Sequence, residues 1–277
     1  MNSMKKKMCI LMLVHKPLTE NTYLFNKFSS ANFYIHVDAK SDFQSIYESC
    51  KEFQNVFFLD CRVDIKWAGF SMVRATLNLM TYALDHDVDN EYFHLISGDD
   101  VILSEDLIWD DNKIYMDFRL AQENRYRMRF NSIFADTSYQ RSRVSKILTQ
   151  IMKFFDKYNS TSKKYYMGSQ WFSIRREQLV LILDSITQND INFFAKKLCP
   201  DEHFFQYLVE KNNLIEKLSI DNKRFLIFDK NHQNGSSPIS LSLEQLLESK
   251  KKGFWFARKV DQKVMNKFYN LERSFEI

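Results

Sequence analysis

Apolar residues along the chain fall into short unbroken runs, and the stretches between them have helical spacing. Met8–Val14 (MCILMLV) is continuously apolar, the pattern of a strand covered on both faces. Asn32–Val37 (NFYIHV) and Val56–Leu59 repeat it, and Tyr92, Phe93, Leu95 and Ile96 form a fourth run after Glu91. Glu20–Phe28 and Asp42–Phe53 read as helices between these strands. Ser71–Leu84 is the strongest helix, because Met72, Ala75, Leu77, Leu79, Met80 and Leu84 make a broad apolar stripe. Strands alternating with helices predict an α/β fold with a Rossmann-type, mostly parallel central sheet flanked by helices. No GxGxxG turn is present, so the dinucleotide fingerprint is missing.

Beyond Asp100 the rhythm loosens. Lys113–Phe118 and Met167–Ile174 read as strands, the second fed by a Gly-Ser turn. Arg125, Arg127 and Arg129 alternate with Tyr126, Met128 and Phe130, which in an extended segment gives one positive ridge. Arg141–Tyr158 reads as a helix with Val144, Ile147, Leu148, Ile151, Met152 and Phe155 on one side. Helices are also expected over Arg175–Leu183, His203–Val209 and Ser242–Ser249, and a late strand over Arg224–Phe228. Phe254–Lys259 (FWFARK) is aromatic and basic. Val260–Ile277 is amphipathic and basic, the composition of a segment that lies on an anionic membrane or packs on the domain.

Length and composition narrow the classes. With 277 residues, 25 of them Phe, the chain can bury a sizeable core in one large domain, and no repeat or linker divides it. A formal charge of +4 does not demand nucleic acid, no nucleic-acid motif is present, and the balance suits an anionic small ligand or membrane surface. Cys9, Cys50, Cys61 and Cys199 form no CxxC or zinc spacing and read as buried free thiols of a reducing compartment. Lys5-Lys6-Lys7 before Met8 imitates a secretory signal, but the apolar run is short and ends in His15-Lys16, so it reads as a first strand. No stretch is long enough to span a bilayer. A cytoplasmic protein, peripheral at most to the inner face of the cytoplasmic membrane, is expected.

Candidate chemistry lies where elements end. Ser97-Gly98-Asp99-Asp100 stops a strand at the sheet edge where open α/β folds bind ligands, though Asp and Gly also make ordinary turns. Adjacent side chains diverge, so one of the two acids faces a ligand. Paired carboxylates also suit Mg²⁺ or Mn²⁺, but His15, His36, His94 and His203 have no zinc spacing, and no metal site is assigned. Pro200-Asp201-Glu202 opens a helix, a position that favours proline and acids in any case. Its functional reading makes Glu202 a general base. Arg258 and Lys259 can neutralise a diphosphate.

Several motifs share one order: Ile35-His36-Val37-Asp38 with Lys40-Ser41, Trp67-Ala68-Gly69-Phe70-Ser71 with Ala75, Leu95-Ile96-Ser97-Gly98-Asp99-Asp100, Gly168-Ser169-Gln170-Trp171-Phe172, Pro200-Asp201-Glu202 with Phe205, and Phe256-Ala257-Arg258-Lys259. In this order the chain, from about Cys9 to Val260, resembles the core-2/I-branching family of β-1,6-N-acetylglucosaminyltransferases, which includes peptide O-xylosyltransferases and plant glucuronosyltransferases.

The resemblance implies a GT-A-like fold and inverting transfer from a UDP-sugar without a cofactor or divalent metal. It implies a nucleotide-binding half over about 1–110, an acceptor and catalytic half over about 111–260, and a tail over 261–277. Glu202 then matches the catalytic base and Lys259 the cation that stabilises departing UDP. His15, Asp38, Trp67, Asp100 and Arg258 fall on the donor side; Arg125, Ser169, Trp171 and Phe228 fall on the acceptor side. A second diphosphate arginine of the animal enzymes has no counterpart in Ser236-Ser237-Pro238, which leaves Arg258 or Lys230 as substitutes, or Lys259 alone. Lacking the animal members' many cysteines and anchor, the chain looks like a bacterial member that moves N-acetylglucosamine, or another sugar, to a glycan or lipid-linked glycan in surface polysaccharide or lipopolysaccharide synthesis. A non-catalytic sugar-nucleotide module and a glycoside hydrolase with paired carboxylates are the alternatives.

Overall fold

The computed structural model describes residues 7–104, 107, 112–159, 161–228 and 237–274. The first part alternates as the apolar pattern predicts: β1 (Lys7–Val14), α1 (Thr22–Lys27), β2 (Asn32–Val37), α2 (Phe43–Glu48), β3 (Val56–Phe58), α3 (Phe70–His86) and β4 (Asn90–Ser97). These four strands pair in parallel in the order β3-β2-β1-β4. The unbroken run of β1 has a direct cause. Ile10, Met12 and Val14 face a layer containing Phe25 and Phe268, while Cys9, Leu11 and Leu13 face another containing Leu79 and Phe204. With both faces buried, no polar alternation survives.

The second part continues through β5 (Val101–Ile102), β6 (Tyr115–Met116), β7 (Arg119–Leu120), α4 (Tyr126–Arg129), α5 (Arg143–Lys157), β8 (Tyr166–Met167), β9 (Phe172–Arg175), α6 (Arg176–Asp184) and α7 (Gln188–Phe194). It ends with α8 (Phe204–Lys211), β10 (Arg224–Leu226), α9 (Leu243–Lys251), β11 (Phe256–Arg258) and α10 (Gln262–Ser274). β9 joins β4 antiparallel and β6 joins β9, which completes a mainly parallel six-stranded sheet. A small sheet, β10-β11-β5, pairs Ala257 with Val101 and so fastens the basic strand beside the turn that follows β4.

Three expectations are corrected. Residues 125–130 are not an extended ridge: Tyr126–Arg129 is helical, so the three arginines turn to different partners. The strand expected over Lys113–Phe118 shortens to Tyr115–Met116, where it pairs with β9. Cys61 is exposed and Cys199 half-buried; all four cysteines are free, but only Cys9 and Cys50 are buried. Of the two readings of the amphipathic tail, packing on the domain holds: α10 buries Met265, Phe268 and Tyr269, which leaves that face closed to a membrane. Among the described residues no helix is long and apolar enough to cross a bilayer.

Candidate active site

Three parallel strands end at one edge. His15 follows β1 and Asp38 follows β2, and the Asp38 N–H donates to the Val14 carbonyl at 2.9 Å. Ser97–Asp100 follows β4, with the Gly98 N–H donating to the Leu13 carbonyl at 3.2 Å. This edge is the ligand crevice of open α/β sheets. His15 is exposed, and the Asp38 carboxylate pairs with Lys40 at 3.3 Å.

The two acids of the turn diverge to different cations. Asp100 is buried and accepts from the Ser97 N–H at 2.9 Å, from Ser97 Oγ at 3.0 Å and from Arg258 Nη1 at 2.6 Å. Expected beside a donor sugar, Asp100 instead anchors Arg258, whose guanidinium also donates to Ser97 Oγ and lies 4.4 Å over the Trp171 ring. Asp99 is buried and holds Lys259 at 3.1 Å and also Lys16. Burial opposes its ionisation, yet the two lysines hold its carboxyl below the usual range.

The segment carrying Glu202 is locked from three directions. Cys199 takes a left-handed backbone with φ of 50°, a costly conformation for a residue with a side chain. Pro200–Glu202 then forms a single 3-10 turn before α8. The Glu202 carbonyl accepts from the Gly168 N–H at 2.9 Å. Only glycine fits at 168, since a Cβ there would lie 1.7 Å from the Asp117 carbonyl oxygen. The Glu202 carboxylate receives Arg127 Nη1 at 2.5 Å. Beside it, burial pushes the Asp201 carboxyl up to about 7, with the Glu202 charge adding to the effect. Asp201 Oδ1 has no hydrogen-bond partner among the described residues.

One cleft of about 520 Å³ gathers six of the sequence candidates: Trp67, Ser169, Trp171, Glu202, Phe228 and Arg258. Lys259 follows Arg258 in the chain and pairs with Asp99. Arg125 is not brought there; its Nε donates to Asp156 at 2.7 Å, next to Arg129 on the same carboxylate. Lys230 and Ser236 lie outside the described residues, while Ser237 and Pro238 line the cleft.

Sequence reasoning missed three contributors. Arg127 was assigned only to the ridge. Asp117, on the cleft wall, accepts from the Ser169 N–H at 3.0 Å. Arg224, on the cleft floor, donates to Ser173 Oγ at 3.0 Å and lies 4.7 Å over the Phe256 ring; burial pushes its pKa down to about 9. Each pairing spans a large sequence separation, so no local pattern announced it.

The histidines are structural where buried: burial pushes His36 and His203 down to about 4, and His203 Nδ1 sits 2.8 Å from the Tyr166 carbonyl. Among the described residues no three His, Cys, Asp or Glu side chains cluster closely enough to hold a metal ion.

A protein-family model described as "Core-2/I-Branching enzyme" matches residues 10–248. No curated protein matches the chain. Among solved structures, the chain is similar to a nucleoside-diphosphate-sugar pyrophosphorylase from Vibrio cholerae RC9, at 11% identity and a TM-score of 0.37, over 74% of this chain and 88% of that one.

Proposed function

Because the chain belongs to the core-2/I-branching enzyme family, and so to glycosyltransferases that move a sugar from a donor to a glycan acceptor, we propose that it is an inverting enzyme using a UDP-sugar and no divalent metal. The observation that carries this reading is the shared cleft: Glu202 and Arg258, far apart in sequence, line the same space, with Lys259 beside Arg258. In the proposed step, Glu202 takes the proton of an acceptor hydroxyl as that oxygen attacks the anomeric carbon. The bond from that carbon to the diphosphate breaks on the opposite face, and its electron pair leaves with UDP.

Negative charge grows on the diphosphate as the bond breaks. Fixed cations stabilise that state more than the ground state, which is how binding becomes rate. Arg258 is the better placed of the two because Asp100, Ser97 and Trp171 hold its guanidinium at a set angle. Lys259 adds an ammonium held on Asp99. Phe228 offers aromatic surface for a sugar ring on the acceptor side and Trp67 offers it near the donor, while Trp171, buried with Arg258 over its ring, forms part of the wall. His15 and Asp38, at the ends of β1 and β2, suit contacts to the nucleoside. N-acetylglucosamine is the leading donor sugar and a bacterial surface glycan the leading acceptor, both from family resemblance.

A screen of UDP-sugars for UDP release, with a glycan acceptor and excess EDTA present, tests the reading. Release with one UDP-sugar supports it. Release that EDTA abolishes and Mn²⁺ restores would move the diphosphate role to a metal held by Asp99 or Asp100. UDP binding without turnover on any acceptor would favour a non-catalytic module.

A further inference from the structure

Helix α5 turns its polar side inward. The positions it buries are Ser145 and Asp156. Its apolar positions Val144, Ile147, Ile151, Phe154, Phe155 and Tyr158 recur at the spacing of one helical face and are 45–70% exposed. A contiguous exposed stripe of large apolar side chains marks a surface that meets a partner.

The charges on the same helix say which partner. Arg143, Lys146, Lys153 and Lys157 are all exposed. At about 100° per residue, these four fall along one edge of the helix, next to the apolar arc. The one acid of α5, Asp156, is buried and neutralised by Arg125 and Arg129 at 2.7 Å each. The outward side of α5 is therefore apolar and basic, with no acid among its residues. Pairing with a second copy would bring like charges together along with the apolar faces. An anionic lipid surface satisfies both halves of the pattern.

We propose that α5 is an interfacial membrane-binding helix: its apolar face enters the acyl boundary of an anionic bilayer while its basic edge meets lipid phosphates. The helix is tied to the cleft at both ends. Arg141, just ahead of α5, lies 4.4 Å over Trp67 of the cleft wall. Near the other end, Asp156 holds Arg125 and Arg129, which flank the Arg127 that holds Glu202. A bilayer bound through α5 thus touches the elements that shape the cleft, which suits an acceptor carried by lipid; that last clause rests on the transferase reading, whereas lipid binding does not.

The test is co-sedimentation of the full chain with sucrose-loaded vesicles of neutral phosphatidylcholine, with and without about a third anionic phosphatidylglycerol. The wild type should pellet with the anionic vesicles only, and less in high salt. Ile147→Ser/Ile151→Ser/Phe154→Ser and, separately, Lys146→Glu/Lys157→Glu should each lower the bound fraction at least about tenfold while melting within about 2 °C of wild type. A tryptophan placed by Ile151→Trp reads insertion without relying on a loss, and its emission should shift to the blue on anionic vesicles. Wild-type binding by both multiple variants, or no shift at Trp, would overturn the proposal. So would a concentration-dependent dimer, abolished by the serine variant, in a chain that ignores vesicles; the occupant would then be a second copy.

Discussion

Around the Ser97–Asp100 turn the more exposed groups are cations over buried acids: Arg258, which lines the cleft, is 20% exposed above Asp100 at 4%, and Lys259, next to it in the chain, is 43% exposed above Asp99 at 3%. On the side built from Pro200–Glu202 the signs are exchanged, with Glu202 at 36% resting on Arg127 at 20%. In the two pairs that reach the cleft, Arg258–Asp100 and Arg127–Glu202, the lining group is the more exposed member. What these contacts supply to a ligand is direction: a counter-charge fixed in the wall holds an ionised side chain at one angle and leaves its free edge open. A site that must both withdraw a proton and absorb a negative leaving group needs opposite charges held apart, and the two walls do this with one device.

The comparison predicts different kinds of loss on the two sides. Glu202→Gln should cost the most, about 10²–10⁴-fold in transfer rate, with UDP affinity by calorimetry unchanged. Near wild-type turnover would remove Glu202 from the base role. Arg258→Met should lower kcat about 10²-fold and weaken UDP binding as well, because its charge is matched to the leaving group. If UDP bound Arg258→Met as tightly as wild type, that wall would not face the diphosphate. Arg127→Met should lower kcat about tenfold with UDP affinity intact, and Arg127→Lys should restore part of it, since the loss is one of orientation.

The smallest effect is on stability. Burial and the neighbouring Glu202 push Asp201 from an ordinary 3.8 to about 7, so the folded chain keeps a proton that the unfolded chain has released. Wild-type stability should therefore fall as pH rises through that window and level off above it. Thermal unfolding of Asp201→Asn should lack this slope and show a higher Tm than wild type at pH 8. Parallel curves for the two would contradict the burial of that carboxyl.

Much of the frame was legible because local pattern decides it. β1, β2 and β4 are buried on both faces, which forces continuous apolar runs, and the Gly98 turn and Pro200 mark where elements stop. The partners were not legible. Asp100 reads the same whether it contacts a sugar or anchors Arg258, and that choice depends on β11 lying beside β5. The alternation of Arg125, Arg127 and Arg129 imitates a strand. A helical turn wins because it puts Arg125 and Arg129 on one face, where both reach Asp156, and sends Arg127 elsewhere to Glu202. Periodicity also identified α5 and α10 as amphipathic without saying which way either stripe faces. α10 buries Phe268 and Tyr269, whereas α5 shows Ile147 and Phe154 to solvent.

The pairing of β5 with β11 has a consequence for how the molecule is made. Asp99 and Asp100 are synthesised long before Arg258 and Lys259, and until Phe256–Arg258 arrives the described ion pair from the earlier chain is Lys16 on Asp99, with Arg224 acting on Asp100 only through its field. Closing the core around them at that stage would strand negative charge in a dry interior. The nascent polypeptide is thus expected to wait, half-assembled and open to chaperones, until the Phe256–Lys259 segment has left the ribosome. Stalled chains that stop short of Phe256 should accordingly be cut rapidly by protease, and those extended past α10 should resist.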